Sequence, residues 1–457
     1  MLRPFVISCL VAGLALPLAA RTRPHYGGTL FVEAEGEAWG QHAETARGLV
    51  FDGLTRIGTN GAAQPSLAVR WASENGDHRW EFWLRPGVRF QDGTALTSAS
   101  VEASLTGSCG TNCPWTAVHA VGTEVIFTSD APMPNLPALL AGEDFLIARS
   151  GTINSSGPNP GPTPLTGMVI GTGPFELDQY MNGVLSLVAN DTSWQGCPFL
   201  DKIEVHGRKS VRDQWLDLSV GRADVVEVPA EQLRQARDQH LIVVTSPPVS
   251  LLALAVADAG VLFNPNLRAA IAQAVDRGAL SNVIFQRQGE ITASLLPSDL
   301  TGYGFLFAAD RDLNKARELR GGLTPPPLTL STENNATMQL ASQRIALNLR
   351  EAGFNVQVDG NAGPRATDMV LLRLTLRSSE PQSALETLLR GVGVATPVLE
   401  DTPAGLYRTE HDFLGTHTLI PLLYLPRVYA ISGRVRDLRL SPDGVPLLAG
   451  VSLEDAP

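Results

Sequence analysis

The feature that most constrains the fold is a helix–glycine–strand unit in the last third of the chain. Residues 337–352 carry apolar side chains at helical spacing, which predicts an amphipathic helix. Gly353 then ends the helix, and residues 354–358 alternate between apolar and polar as a strand does. A helix that returns through a glycine to a strand is typical of α/β architecture. The sequence therefore predicts an α/β fold.

Other segments add strands and helices to this picture. Residues 79–90 alternate as a half-buried strand before a turn, and residues 97–105 read as a capped helix. Residues 264–280 predict a second strongly amphipathic helix, whose Arg and Asp side chains from residue 268 onward are expected on a solvated face. Residues 150–167 are dense in Pro, Gly and Ser and form the clearest linker.

The size and the charge of the chain limit the class of protein to which it can belong. The chain has 457 residues, and 35 Lys and Arg stand against 46 Asp and Glu, which gives a formal net charge of −11. Nucleic acid is excluded as the default partner, because binding phosphates needs a basic surface. The hydrophobic fraction of 44% is enough to bury a large core. At about 100–200 residues per domain, the length predicts two or three domains or one large discontinuous unit.

The amino terminus predicts export. A short positive start ending at Arg3 precedes an apolar run over residues 5–16, and the small pair Ala19-Ala20 follows. This is the pattern of a signal peptide over residues 1–20, cleaved near Ala20, and the apolar run is too short to span a bilayer well. The alternative is a buried N-terminal helix. The signal peptide predicts a periplasmic protein.

Export also affects the cysteines. Cys109 and Cys113 lie in S-C-G-T-N-C, where a flexible Gly and a turn-forming Asn separate them. An oxidising compartment permits a local disulfide between them, and two free surface thiols are the alternative. Cys197 is expected to be a small buried hydrophobe rather than a reactive thiol.

Catalytic motifs are poorly represented. The sequence has no G-x-S-x-G elbow and no H-E-x-x-H helix, and G-R-K-S at 207–210 lacks the preceding Gly of a phosphate-binding loop. Glu33, Glu35 and Glu37 alternate along one strand and could resemble a pair of acid/base carboxylates. Glycoside hydrolysis needs two carboxylates that face each other from different elements, so this alternation is weak evidence for it. His411 and His417 approach metal-ligand spacing, although solvated positions explain them better. We therefore expect no enzyme activity, no metal and no cofactor.

Several ordered blocks carry a family resemblance over most of the chain. The chain resembles family 5 extracellular solute-binding proteins of ABC importers, the peptide- and nickel-binding group. The blocks are G-G-T-L (27–30), V-F-D-G-L-T-R (50–56), W-E-F-W-L-R-P-G-V-R-F-Q-D-G-T-A-L (80–96), V-I-G-T-G-P-F-E-L (169–177), F-N-P-N-L-R-A-A-I-A-Q-A-V-D-R-G-A-L (263–280) and H-T-L-I-P-L-L-Y-L-P (417–426).

The resemblance implies a two-lobed periplasmic binding protein-like fold (class II, cluster C type) with an extra subdomain in the first lobe. The first lobe would gather residues 21–48, 165–247 and 419–457, with 49–164 as its subdomain. Residues 248–418 would form the second lobe, which is shorter than usual after Glu380. Pro247-Pro248 and the segment 417–422 are the expected hinges, about which the lobes close on a ligand.

The resemblance also implies ligand-binding residues. Those that follow the first strand are Trp39, Gly40 and Gln41, and Tyr424 lies on the strand that returns to the first lobe. Those on a strand of the second lobe and just after it are Arg373, Thr375, Arg377 and Ser378. Trp39 has the alternative of ordinary lobe core. Arg377 departs from the family, which places there an Asp that pairs with a peptide's amino group. The alternative for Arg377 is a solvent position or a pair with Glu380.

The function implied is that of an exported receptor, a monomer that delivers a small polar ligand, such as a peptide, to an ABC permease in the inner membrane. A ligand-sensing or partner-binding protein without a transport role is a second possibility. A secreted hydrolase that uses Glu33 or Glu35 is a third, for which a recognisable catalytic set is lacking.

Overall fold

The computed structural model describes residues 26–39, 43–58, 61–109, 113–149, 169–229, 232–333, 335–359, 367–376, 378, 380–393 and 402–454. The predicted signal peptide, residues 1–20, and the predicted linker, 150–167, lie outside these ranges. Within them, every helix is too short or too polar to cross a lipid bilayer.

The strands of the described ranges, in chain order, are β1 (Thr29–Glu33), β2 (Thr55–Ile57), β3 (Ala63–Pro65), β4 (Ala68–Glu74), β5 (Arg79–Leu84), β6 (Ala117–Val121), β7 (Glu124–Thr128), β8 (Phe175–Met181), β9 (Val184–Ala189), β10 (Lys202–His206), β11 (Val225–Glu227), β12 (Ile242–Val256), β13 (Glu290–Ile291), β14 (Leu328–Thr332), β15 (Val356–Asp359), β16 (Met369–Thr375), β17 (Leu419–Ile431), β18 (Val435–Arg436), β19 (Arg439–Leu440), β20 (Pro446–Leu447) and β21 (Ser452–Leu453).

The α-helices of the same ranges are α1 (Glu44–Val50), α2 (Ser98–Cys109), α3 (Leu136–Leu139), α4 (Val211–Ser219), α5 (Leu233–Asp238), α6 (Pro265–Ala274), α7 (Arg277–Ala279), α8 (Ser298–Thr301), α9 (Leu313–Arg320), α10 (Ala336–Glu351), α11 (Pro381–Gly391) and α12 (Pro403–Gly415). The helix–glycine–strand unit that the sequence predicts near residue 350 is confirmed as α10 and β15.

One large sheet runs through the molecule in the order β15-β14-β16-β12-β17-β11-β1-β10-β9-β8, and β13 pairs with β17. The two central strands are long, with 15 residues in β12 and 13 in β17. The first half of β12 pairs with the second half of β17, and the second half of β12 pairs with the first half of β17. The pair therefore joins a first lobe, which contains β1 and β8–β11, to a second lobe, which contains β14–β16.

Both faces of the sheet are covered in the second lobe. Leu252 and Leu254 of β12 pack with residues of α6, α9 and α10, whereas Leu251 and Ala253 pack with residues of α11 and α12. All four side chains are completely buried. Alternate residues of a strand point to opposite faces, so an unbroken apolar run is expected of a strand covered on both sides. This layering confirms the predicted α/β class.

A smaller unit with its own core is inserted into the first lobe. Its sheet has the order β4-β5-β7-β6, and its core extends from Leu54 to Ile147. Phe127 forms edge-on contacts with Phe82 and with Trp115 at the centre of this core. Leu49, at the start of the predicted subdomain range 49–164, packs in the core of the main lobe instead.

The chain crosses between the lobes where the β12–β17 ladder is interrupted. The register of β12 shifts on both sides of Pro248, which lies opposite Pro426 of β17. Neither proline has an N–H to donate, so the ladder loses hydrogen bonds here. The predicted hinge at Pro247-Pro248 coincides with this interruption. The other predicted hinge, 417–422, does not, because residues 419–425 pair and pack within the second lobe, and β17 enters the first lobe at Pro426 rather than at residue 419.

The helix predicted over residues 264–280 is interrupted in the structure. α6 ends at Ala274, and Val275 is extended, with φ −71° and ψ 125°. Asp276 then caps the short helix α7 by accepting the N–H of Ala279 at 2.8 Å. The N–H of Asp276 donates to the Asn348 side chain of α10 at 3.2 Å, so a tertiary contact stabilises the break.

The arginines expected on the solvated face of that segment are buried. Arg268 is 6% exposed and Arg277 is 5% exposed. Arg268 donates to Asp258 at 2.5 Å and to the carbonyl of Thr416 at 2.8 Å. The prediction was wrong because main-chain carbonyls from distant parts of the chain accept these guanidinium hydrogens and allow the charge to be buried.

The cysteines differ from one another in state. Cys113 is disulfide-bonded, and the side chain of Cys109, its predicted partner, lies outside the described part of the structure. Cys197 is free and exposed, not a buried hydrophobe as expected. It follows Gly196, whose φ of +99° places it in a turn at the surface.

A candidate ligand cleft between the lobes

The two lobes face each other through the carboxyl ends of their parallel strands. In the first lobe β1 is parallel to β10 and to β11. Both β11 and β12 are antiparallel to β17, so β11 is parallel to β12. The strands β1, β10 and β11 therefore all point in the direction in which β12 leaves the first lobe. In the second lobe β16 is antiparallel to β12, and β14 and β15 are parallel to β16, so these strands point back toward the first lobe. Open α/β sheets bind ligands beyond the carboxyl ends of their strands.

We call the space between these two rows of strand ends the interlobe cleft. It is bounded by residues 33–39, 206–209 and 227–229 of the first lobe and by residues 332, 333, 335, 375, 376 and 378 of the second.

A lysine between two carboxylates forms the first-lobe floor of the interlobe cleft. Glu33, the last residue of β1, is 3% exposed, and its Oε1 lies 3.0 Å from Lys209 Nζ. Lys209 Nζ also donates to Asp217 Oδ2 at 2.8 Å. Burial raises the pKa of Glu33, whereas the hydrogen bond from Lys209 lowers the pKa of Asp217. Lys209 is therefore held as a cation with its charge already matched by Asp217.

A close backbone approach positions the loop that follows β1. The N–H of Arg208 donates to the carbonyl of Gly36 at 2.8 Å, and that of Lys209 donates to Ala34 at 3.0 Å. A Cβ on Gly207 would lie 2.5 Å from the backbone nitrogen of Ala38, so only glycine fits at this position. The G-R-K-S segment thus docks the loop that carries the glutamates, a structural role that its sequence did not indicate.

Charged side chains at the outer rim of the interlobe cleft are also paired. Arg208 Nε donates to Glu37 Oε1 at 2.7 Å in the first lobe. In the second lobe Arg373 Nη2 donates to Glu333 Oε2 at 2.8 Å. Both pairs are exposed to solvent, so their contribution to stability is expected to be small.

One hydrogen bond connects the two faces of the cleft. Asn335 is the N-cap of α10 in the second lobe, and its Oδ1 accepts the N–H of Thr337 at 3.0 Å and of Met338 at 3.2 Å. Its Nδ2 donates to Glu35 Oε2 of the first lobe at 3.3 Å. The Glu35 N–H points to Glu227 Oε2 at 3.5 Å, beside the end of β11. The strand ends of the two lobes therefore lie within hydrogen-bonding reach of each other.

The predicted ligand residues of the first lobe are only partly described. Trp39 is 3% exposed and packs in the core of the lobe, 6.3 Å from Phe51 between ring centroids, which agrees with its alternative interpretation as core. Gly40 and Gln41 lie outside the described residues. A role for these three residues in binding stays a prediction.

The predicted residues of the second lobe are distributed between its rim and its core. Thr375 Oγ1 accepts a hydrogen bond from Arg427 at 3.2 Å near the crossing point, and Ser378 Oγ accepts the N–H of Glu380 at 3.1 Å. Tyr424 is 1% exposed, and its hydroxyl donates to the carbonyl of Leu295 in the lobe core. In this conformation Tyr424 has no open face toward a ligand. Arg377 lies outside the described residues, so its role stays a prediction.

Residue Glu380 bears on the alternative proposed for Arg377. Its two carboxylate oxygens accept the N–H groups of Gln382 at 3.0 Å and Ser383 at 2.6 Å, which caps α11. A carboxylate at a helix N-terminus is favoured by the helix dipole. Glu380 therefore has a structural role of its own.

The sequence did not identify Lys209 and Asn335 as residues of the cleft. Lys209 is one of only three lysines and lies three residues after β10 ends at His206, and Asn335 directly precedes α10, as an N-cap should. These signals place the two residues at strand or helix ends. They do not reveal that the ends face each other, which depends on the pairing of β12 with β17. No group of three or more His, Cys, Asp and Glu in the described ranges is placed to hold a metal ion.

Comparisons with known proteins agree with this architecture. Residues 62–395 match the family described as "Bacterial extracellular solute-binding proteins, family 5 Middle". The chain is 23% identical over 321 residues to the probable D,D-dipeptide-binding periplasmic protein DdpA of Escherichia coli, a match that covers 66% of this chain and 62% of DdpA. The chain covers less than two thirds of the length of the curated relatives that it matches first.

Solved structures have the same fold. NikA of Staphylococcus aureus in complex with Ni(L-His)2 superimposes with a TM-score of 0.79 at 16% identity and covers 93% of this chain and 100% of its own. DppA of Helicobacter pylori in complex with the peptide STSA gives a TM-score of 0.79 at 18% identity and covers 94% and 99%.

Two α/β lobes that share a pair of crossing strands and face each other across a polar cleft agree with the fold of these solved structures. The profile match extends over more than half of the chain. The chain belongs to the family 5 extracellular solute-binding proteins. This is a family of binding proteins whose members work in the periplasm or outside the cell.

Proposed function

We propose that the protein is the exported solute receptor of an ABC importer. It captures a small polar ligand in the interlobe cleft, closes its lobes about the Pro248–Pro426 crossing, and delivers the ligand to an inner-membrane permease. The observation that carries the proposal is the apposition of the two rows of strand ends, within reach of one hydrogen bond between Asn335 and Glu35. Closure desolvates both faces of a cleft at once and so strengthens hydrogen bonds to a polar ligand.

The ligand class that we propose is an oligopeptide or a molecule of similar polarity. The described lining consists of paired charges and capping side chains around the ends of β1, β11 and β14. Relatives support this class in general terms, since DdpA is described as a probable dipeptide-binding protein and DppA was solved with a peptide. The protein is proposed to work as a periplasmic monomer after removal of residues 1–20.

Arg377 is proposed to select among such ligands. In the sequence it stands two residues after Thr375, the last residue of β16. A guanidinium is always charged and offers a planar fork that fits a carboxylate or a phosphate. We therefore expect the cleft to favour ligands with an acidic group and to bind peptides with a free cationic amine poorly.

Calorimetry with matched peptides tests this function. The ligand that co-purifies with the native protein is first identified by mass spectrometry, and paired acidic and basic dipeptides are then titrated into the wild-type protein and Arg377→Ala. We expect acidic ligands to bind more tightly, and Arg377→Ala to weaken their binding by about 1.5–3 kcal/mol, the range for a hydrogen bond to a charged group. Lys315→Ala, which removes an exposed cation on α9, is the control and should change nothing. Equal affinity in wild type and Arg377→Ala would contradict the selective role of Arg377, and failure to bind any solute would contradict the receptor function.

A further inference from the structure

A second cavity lies in the second lobe, outside the interlobe cleft. Its volume is about 300 Å³, and it is partly open to solvent. The end of α6, the loop over residues 307–310 and the turn from α12 to β17 line it. The lining includes Leu419 and Pro421, at the end of β17 that is remote from the Pro426 crossing. A strand rises about 3.3 Å per residue, so residues 419 and 426 are roughly 20 Å apart. We call this space the Arg277 cavity.

The guanidinium of Arg277 faces the cavity with unused donors. The side chain is 5% exposed and lines the cavity. Its Nε is shared between the carbonyls of Thr292 at 3.1 Å and Pro421 at 2.8 Å, and Nη1 donates to the carbonyl of Ala309 at 3.3 Å. A guanidinium has five N–H groups. These contacts use two of them, and the three others have no hydrogen-bond acceptor among the described residues.

The charge of Arg277 is not compensated by an acid. Burial alone lowers the pKa of Arg277 to about 10. The other buried arginine of the same segment, Arg268, contrasts with it, because Asp258 accepts its Nη1 at 2.5 Å. Burying a charge is costly unless the charge is paired and fully hydrogen-bonded. An anion in the cavity would supply both the charge and the acceptors that Arg277 lacks.

The other ionisable groups of the lining leave the cavity suited to an anion. Burial, aided by the positive charge of Arg268, lowers the pKa of His417, so this imidazole is neutral at pH 7 and remains a hydrogen-bonding group. His411 is exposed and lies 3.5 Å from Asp412. Asp310 is exposed to solvent at the edge, where water screens its charge.

The rest of the lining combines apolar side chains with polar atoms in comparable area. It includes Ala272, Ala293 and Phe307 and the strand residues Leu419 and Ile420. Small-molecule sites of a few hundred Å³ combine apolar side chains with polar groups that orient the ligand. The apolar side chains of the lining match a hydrocarbon or aromatic body, and the buried charge of Arg277 matches a carboxylate.

We propose that the Arg277 cavity binds a small organic carboxylate with an apolar body. The carboxylate accepts hydrogen bonds from Nη1 and Nη2 of Arg277, and the apolar body packs against Phe307 and the start of β17. Such a ligand binds one lobe only, so it requires no lobe closure. The site is independent of the receptor function proposed for the interlobe cleft.

The probe for this site is benzoate, with benzamide as its uncharged analogue of the same shape. Calorimetry at pH 7 measures both on the wild-type protein, on Ala272→Phe, which fills the cavity without changing Arg277, and on Arg277→Lys, which keeps the charge but loses the fork. Ala131→Phe, on an exposed position of the subdomain, is the matched control. We expect saturable benzoate binding to wild type and to the control, and a loss of about tenfold or more in Ala272→Phe and for benzamide, as for one lost charged hydrogen bond.

Several outcomes would overturn the proposal. They are the absence of saturable benzoate binding to the wild-type protein, equal binding of benzoate by Ala272→Phe, and equal binding of benzamide. If Arg277→Lys does not fold, Ala272→Phe still decides the matter, because it leaves the three hydrogen bonds of Arg277 in place. Circular dichroism of each variant verifies that it is folded.

Discussion

At the scale of single residues, a buried glutamate in the second lobe makes the stability of the protein depend on pH. Glu410 of α12 is completely buried, and its Oε1 accepts the backbone N–H groups of Leu295 and of Leu296, the latter at 3.3 Å. Burial raises the pKa of Glu410 to about 7, against an ordinary value of 4.5, although the two N–H donors oppose the shift. The folded protein therefore holds a proton on Glu410 through a pH range in which the unfolded chain has lost it.

This shift predicts that the protein becomes less stable as the pH rises from about 5 to 8. The folded state binds more protons than the unfolded state in that interval, so the free energy of unfolding falls with pH, by about 2–3 kcal/mol from this group. Glu410→Gln should remove this part of the pH dependence, as urea unfolding at pH 5 and pH 8 would reveal. Asp412→Asn, an exposed change on the same helix, is the control. An equally steep pH dependence in Glu410→Gln would contradict the assignment.

Single residues were also where the sequence was least informative. The sequence predicted that Arg268 and Arg277 lie on a solvated face. In the structure they donate to the carbonyls of Thr416 and Pro421, more than a hundred residues away, and a local pattern cannot predict such contacts. The sequence considered Glu33 only as a catalytic acid and did not anticipate its contact with Lys209. Local patterns identify such residues as charged, but their partners depend on how the whole chain folds.

At the scale of elements, the crossing of β12 and β17 depends on a side chain that replaces a missing ladder bond. Ser246 is 7% exposed, and its Oγ accepts the N–H of Arg427 at 2.9 Å, next to the opposed prolines Pro248 and Pro426. The hydroxyl therefore ties the two strands together where their main chains do not.

We predict that Ser246→Ala loosens the crossing. The N–H of Arg427 loses this acceptor, so its amide hydrogen should exchange faster, and the free energy of unfolding should fall by about 1 kcal/mol. Hydrogen exchange measured by NMR or mass spectrometry tests the change. Ser219→Ala, on the exposed end of α4, should leave exchange at Arg427 unaltered. Unchanged exchange in Ser246→Ala would mean that the hydroxyl is not what holds the strands together.

Elements with a strong local signal were predicted well, whereas ends that depend on contacts with distant residues were not. The helix expected over 337–352 is α10, Ala336–Glu351, because both its apolar period and its cap are local. The helix expected over 264–280 breaks after Ala274, because Asp276 caps a new turn and is bonded to Asn348 of another helix. The sequence predicted that the chain re-enters the first lobe at residue 419, whereas in the structure it does so at Pro426. The apolar run of β17 fits the core of either lobe, so the pattern does not locate this boundary.

At the scale of the whole molecule, the hydrogen bond between Asn335 and Glu35 is expected to influence how far the lobes stand apart. Asn335→Asp preserves the cap of α10, because Asn and Asp cap helices equally well. It also places a carboxylate against that of Glu35, with a repulsion of about 1 kcal/mol at this distance in water, or roughly a fivefold shift in the ratio of closed to open forms.

Small-angle X-ray scattering is the measurement. The radius of gyration of unliganded Asn335→Asp should exceed that of the wild type, and the double variant with Glu35→Gln should return to the wild-type value. A radius of gyration that does not change in Asn335→Asp would show that this contact has no influence on the opening of the lobes.

The layout of the chain in the two lobes has a further consequence, for the order of assembly. Arg434 donates to Asp224 at 2.7 Å and to the carbonyl of Thr29 at 3.0 Å, which ties the last strands of the first lobe to its first strand. The second lobe, by contrast, is one continuous stretch between the crossings at Pro248 and Pro426. As the chain is synthesised from its amino terminus, all the strands of the second lobe are made by Pro426, whereas the first lobe still needs strands that follow Pro426. Contacts of such long sequence separation form slowly. The first lobe, whose first strand is synthesised before any strand of the second lobe, is thus the last to complete its fold.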